Sequence, residues 1–151
     1  MKVIVGALGT GNVPKRGETA EGQKIYEGTK YDFGDGVVID ADYSLYAVAT
    51  HEKPDLIVVL LTAKAREKQW EGLKEWLDTL REDTKTEFKV IDVTIPDGAS
   101  QAEAWTIFQN ISKHVPRDSE LTIDITFGLR SIPVLLLSAA RYLQRANNVR
   151  L

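Results

Sequence analysis

The chain contains no cysteine and only two histidines, His51 and His114. Without cysteine there is no disulfide framework and no thiolate metal site. The two histidines are not spaced as H-x-x-x-H, so nothing here provides a structural zinc site. No apolar run approaches the roughly 20 residues of a membrane-spanning helix. Met1-Lys-Val-Ile-Val5 is not a secretory signal, because its apolar stretch is short and runs into glycines. Positive charge is also wanting: 19 Lys and Arg against 22 Asp and Glu leave a formal net charge of −3. A broad nucleic-acid surface is normally basic, so long DNA or RNA is not favoured as a partner. A small anion held by a few placed groups remains open. We read one soluble, cytoplasmic domain over residues 1–151, with no membrane partner, no metal and no cofactor.

What is present is an ordinary globular composition, 43% hydrophobic and 27% charged. A domain of this size buries roughly 68–70% of its unfolded surface and needs no staples. Lys2 to Leu8 is short, β-branched and apolar, and predicts a buried first strand ending at Gly9-Thr-Gly-Asn12. Residues 13–36 are glycine-rich and charged. Lys24-Ile-Tyr26 and Thr29-Lys-Tyr31 around Glu27-Gly28 predict a hairpin or ordered excursion. Asp40, Asp42 and Ser44 suit the N-terminus of a helix that Pro54 and Asp55 end. Asp35, Asp40 and Asp42 resemble a carboxylate cluster, but helix N-terminal placement explains them equally well. Leu56–Leu61 is a second continuous apolar strand. Trp70, Leu73, Trp76 or Leu77, and Leu80 recur at helical spacing. Phe88–Val93 predicts a strand and Pro96-Asp-Gly98 a turn. Ser100 with Glu103 forms a capping box for a helix whose core stripe is Trp105, Phe108, Ile111 and Val115. Leu121–Ile125 is a further strand, a helix runs from Ser131 to about Ala146, and Val149-Arg-Leu151 can begin a last strand. His51 and His114, near helix C-termini, read as surface residues.

Strands alternating with helices predict an α/β fold. We expect a Rossmann-like, mostly parallel sheet covered by helices on both faces, with a β-hairpin excursion after the first strand. Ligands of such sheets bind beyond the carboxyl ends of the strands. Those ends are Gly9-Thr-Gly-Asn12, Thr62-Ala-Lys64, Thr94-Ile-Pro96 and Thr126-Phe-Gly-Leu-Arg130. The last is the richest. Between the apolar run ending at Ile125 and the helix beginning at Ser131 lie a hydroxyl, a glycine and a guanidinium. Arg offers a planar fork of donors to a phosphate, and a helix N-terminus adds free N–H groups. Asp124 reads as a buried carboxylate that satisfies loop N–H groups rather than as a catalyst. Pro133 suits the first turn of a helix. Trp70 and Trp76 read as core rather than as base-stacking platforms. Val134–Ala140 is apolar on every side, which suggests that this helix packs on the sheet and on a second copy of the chain.

These residues resemble a family. Leu8-Gly-Thr-Gly-Asn12, a tyrosine-bearing excursion with Tyr26 and Tyr31, Val59-Leu-Leu-Thr62-Ala-Lys64 followed by Trp70, and Ile123-Asp-Ile-Thr-Phe-Gly-Leu-Arg-Ser-Ile-Pro133 are similar to the CRISPR-associated Rossmann-fold (CARF) domain of type III CRISPR accessory proteins. The likeness covers nearly the whole chain. It implies a homodimeric sensor of cyclic oligoadenylate, cyclic tetra-adenylate first and cyclic hexa-adenylate second, with the ring lying across the two-fold. The ligand-contacting positions it implies are Gly9, Thr10, Gly11, Asn12, Thr62, Ala63, Lys64, Thr126, Phe127, Gly128, Leu129, Arg130 and Ser131. The family often has histidine where this chain has Phe127. Family members usually continue into an effector domain, so the chain reads as a stand-alone sensor or as the sensory part of a longer effector. A second reading is a ring nuclease that cuts the bound messenger by 2′-OH attack, with Thr10, Asn12, Lys64, Thr126 and Arg130 aligning the ring and stabilising charge. A generic nucleotide-binding Rossmann domain is a third, but Gly6-Ala-Leu-Gly-Thr-Gly11 lacks the G-x-G-x-x-G order.

Overall fold

A computed structural model describes residues 1–10, 29–128 and 131–151. Four parallel strands form the sheet: β1 (Lys2–Ala7), β4 (Leu56–Leu61), β5 (Lys89–Thr94) and β6 (Glu120–Asp124), in the order β5-β4-β1-β6. A two-stranded antiparallel hairpin, β2 (Thr29–Asp32) with β3 (Val38–Ala41), stands apart from it. The helices are α1 (Ser44–Glu52), α2 (Ala63–Thr84), α3 (Gln101–His114) and α4 (Ser131–Ala146). The expected Rossmann-like architecture is therefore the observed one. Beyond β6, the Arg150 N–H donates to the Ser119 carbonyl at 2.9 Å and the Leu121 N–H to the Arg150 carbonyl at 2.7 Å. This parallel bridge is the start of the expected last strand.

The strands divide the core by their two-residue period. Val3, Val5, Ala7, Leu56, Val58 and Leu60 face Ile107, Ile111, Ile132, Leu136 and Leu143 of α3 and α4. Ile4, Ile57, Val59 and Leu61 face Leu45 of α1 and Ala65, Leu73 and Leu77 of α2. All six residues of β4 are buried, which is why that segment reads as an unbroken apolar run. Each such side chain contributes roughly 1.5–3 kcal/mol by leaving water. Trp70 and Trp76 pack against the α1–α2 core, Trp76 edge-on to Tyr46 at 4.6 Å between ring centroids.

Several elements differ from the expected ones. The hairpin turn falls at Phe33–Val37, where the Phe33 N–H donates to the Val37 carbonyl. Glu27-Gly28 lies outside the described residues. Asp40 is in β3 and not at a helix N-terminus, because Val38–Ala41 pairs with Thr29–Asp32. Tyr43 precedes α1 and makes no side-chain cap; the Ser44 hydroxyl goes elsewhere. The inward face of α3 is Ile107 and Ile111, whereas Trp105 is 59% exposed and stacks on Phe108 at 5.3 Å. Contact with α4, not the sequence stripe alone, sets the rotation of α3. The capping box does form: Ser100 Oγ accepts from the Glu103 N–H at 3.2 Å, and Glu103 Oε2 from the Ala99 N–H at 2.7 Å. His51 is more than a surface residue. It stacks on Phe33 at 4.1 Å and lies 2.8 Å from carboxylate oxygens of Asp35 and Glu52.

Candidate ligand site

The chain order of the parallel strands reverses at β1. From it the chain goes outward on one side to β4 and β5, and returns on the other to β6. The carboxyl ends of β1 and β6 therefore flank the switch point, where open α/β sheets bind ligands. Register aligns Gly6 with Asp124 and Ala7 with Leu60. The loops that leave these strands meet directly: a Cβ on Gly9 would lie 3.8 Å from Phe127 Cβ and 3.9 Å from the Gly128 amide nitrogen. The two loops singled out in the sequence thus form one wall.

Asp124 shapes that wall. It is 5% exposed. Its Oδ2 accepts from the Ser44 hydroxyl at 2.5 Å and its Oδ1 from the Thr126 N–H at 2.9 Å. The carboxylate thus satisfies the loop and the start of α1. Tyr31 on the hairpin is drawn into the same neighbourhood: burial raises its phenol pKa, and the charges of Asp124 and then Asp42 raise it further. Gly128 takes φ +125°, a region that favours glycine. Ile125 and Phe127 are 46% and 39% exposed at the rim, an apolar face among polar groups. Ser131 opens α4, and among the described residues no hydrogen bond holds its hydroxyl.

The β4 end behaves differently. Thr62 is 2% exposed and caps α2, accepting from the Ala65 N–H at 3.2 Å. Such a cap stabilises the helix by about 1 kcal/mol. Ala63 and Lys64 are the exposed first turn of α2 rather than a loop. Among the described residues no ion pair or hydrogen bond engages the Lys64 ammonium. The neighbouring Arg66 is engaged: Nη1 donates to Asp92 Oδ2 at 2.7 Å and Nη2 to Thr94 Oγ1 at 3.0 Å. The strand-end hydroxyl of Thr94 is thereby occupied. Gly11, Asn12, Leu129 and Arg130 lie outside the described residues; of the remaining candidates the structure brings Gly9 against Phe127 and Gly128 at the switch point, beside Thr126. Among the described residues no group of three or more histidines and carboxylates could hold a metal.

Residues 10–151 match the family model described as the CARF domain of the CRISPR system endoribonuclease Csx1. The chain belongs to the CARF family. Its place is therefore among the sensor domains associated with type III CRISPR signalling. No curated protein matches the chain. No helix among the described residues of this CARF domain is long and apolar enough to cross a membrane. The sequence places Ser44 at a helix N-terminus but does not pair it with Asp124, which it holds from 80 residues away. No local signal marks such a partner. Tyr31 was visible as part of the excursion, but its approach to Asp124 was not.

Proposed function

We propose that this CARF domain is a homodimeric sensor that binds cyclic oligoadenylate, cyclic tetra-adenylate first and cyclic hexa-adenylate second. The observation that carries the reading is the meeting of Gly9 with Phe127 and Gly128 at the switch point of a CARF sheet. In this reading Gly9–Asn12 and Thr126–Ser131 line the ring. Arg130 and Lys64 each meet a phosphate, and a two-fold dimer presents both twice. The exposed Phe127 ring stacks on an adenine, a contact worth roughly 1–3 kcal/mol per base. Dimerisation is supported by α4. Leu136, Ala139, Ala140 and Leu143 face the core, while Val134, Leu137 and Tyr142 are 63%, 48% and 51% exposed. That outer surface is the one a second copy would cover.

The test is to incubate the protein with cyclic tetra- and hexa-adenylate, record the thermal shift and follow the nucleotide by chromatography. The expected result is a shift with the ring intact after hours. Linear products that vanish in Lys64→Ala or Arg130→Ala, with folding preserved, would make the protein a ring nuclease instead. No shift with either ring would refute the sensor reading. Arg130→Ala is expected to weaken binding strongly at little cost in stability.

A further inference from the structure

The loop between β5 and α3, a strand end at Thr94-Ile-Pro96 and a turn at Pro96-Asp-Gly98, reaches α4. Gly98 has φ +77° and lies against Ser131. A Cβ built on Gly98 would stand 2.8 Å from Ser131 Oγ and 3.3 Å from Ile107 Cδ1. Ile107 is fully buried in the α3–α4 core, at 0% exposure, and does not yield easily. The Ser131 hydroxyl is the end of a short side chain and can yield by rotating about χ1. No hydrogen bond among the described residues opposes that rotation. A side chain at position 98 would therefore crowd the space that the Ser131 hydroxyl occupies.

We propose that Gly98 is a positioning residue for ligand recognition: the missing side chain leaves the Ser131 hydroxyl in the rotamer from which it meets the ligand. The proposal rests on the sensor reading above, in which Ser131 contacts the ring. Gly98 itself touches no ligand and acts through Ser131. Its positive φ seats the loop there without strain, and its missing Cβ leaves the space that Ser131 Oγ occupies.

The test is a double-mutant cycle. Affinity for cyclic tetra-adenylate is measured by calorimetry for the unsubstituted protein, Gly98→Asn, Ser131→Ala and the double variant. Asparagine tolerates positive φ, so Gly98→Asn adds the Cβ with little backbone penalty. A hydroxyl bonded to a charged phosphate predicts a loss of about tenfold to a hundredfold for either single variant. The double variant is expected to lose no more than either single one, because both remove the same contact. Full affinity in Gly98→Asn, or losses that simply add, would overturn the proposal. A second readout needs no ligand: the Ser131 Hα–Hβ scalar couplings by NMR report χ1. They are expected to change in Gly98→Asn, and unchanged couplings also overturn the proposal. If the unsubstituted protein binds neither ring, the sensor reading fails, while the couplings still decide whether Gly98 sets the hydroxyl. A Gly98→Asn protein that does not fold is replaced by Gly98→Ala under the same criteria.

Discussion

The Ser44 hydroxyl donates to Asp124 Oδ2 at 2.5 Å, joining the first turn of α1 to the end of β6 across 80 residues of chain. Both residues are buried, at 2% and 5% exposure. Ser44→Ala leaves one carboxylate oxygen short of its donor. An unmet buried acceptor costs about 1–3 kcal/mol. Urea denaturation is expected to show that loss with an unchanged m-value. Asp124→Ala is expected to cost at least as much and also to weaken cyclic oligoadenylate binding, because the Thr126 N–H loses its acceptor. A stability within experimental error of the unsubstituted protein in both variants would remove Asp124 from this role.

Gly72, in the middle of α2, sits where a helix prefers alanine by about 1 kcal/mol. Here the preference is overruled. A Cβ on Gly72 would fall inside the Tyr43 hydroxyl, which donates to Gln69 Oε1 at 3.3 Å. Burial, with the charges of Asp42 and Glu75 behind it, pushes the Tyr43 phenol up to about 12. Overpacking costs about 1–3 kcal/mol, so Gly72→Ala is expected to destabilise on balance. Adding Tyr43→Phe, which removes the colliding oxygen, is expected to recover part of the loss in thermal melts.

His51 clasps the hairpin turn to the end of α1. When the ring is protonated, Nε2–H donates to Asp35 Oδ2 and Nδ1–H to Glu52 Oε1, each at 2.8 Å. The hydrogen bond from Asp35, then that from Glu52, raises the His51 pKa above its ordinary 6.5. The same bond to His51, aided by the Val37 N–H, lowers the Asp35 pKa below its ordinary 3.8. A raised histidine stabilises fully below its unfolded value and loses that contribution as pH rises through its folded value. A lowered carboxylate stabilises above its unfolded value and loses that contribution as pH falls through its folded value. The clasp is therefore strongest between about 3.8 and 6.5. The difference in melting temperature between the protein and His51→Gln is expected to be small, because solvent screens the pair, and to shrink as pH rises past neutral. A difference that does not shrink would dismiss the clasp.

Leu136 and Leu137 are neighbours with opposite environments, 0% and 48% exposed. Leu136→Ala is expected to cost about 2–5 kcal/mol in the core. Leu137→Glu is expected to leave folding nearly untouched and to turn a dimer into a monomer in light scattering at micromolar concentration. A parent protein that is already monomeric there would reject the dimer and the α4 surface together.

The legibility of this chain follows the range of its interactions. The runs Leu56–Leu61 and Leu121–Ile125 announced strands because β4 is buried throughout and β6 is paired along its length. The capping box at Ser100 was legible because both partners lie within one turn. The Ile107 face was not, because Trp105, Ile107 and Phe108 are all apolar and only the contact with α4 chooses among them. Thr62 read as a strand-end hydroxyl for a ligand, since a helix starting directly at Ala63 cannot be told from a short loop by composition.

The sequence by itself determined the alternating architecture, the absence of thiolate chemistry and the two loops that carry the family likeness, because hydrophobic period and loop composition are local properties. Tertiary structure alone decided that Gly9 meets Phe127, that Asp124 is held by Ser44, and that Gly98 lies against Ser131. Those contacts join residues tens of positions apart, and strand order and register bring them within van der Waals or hydrogen-bond reach.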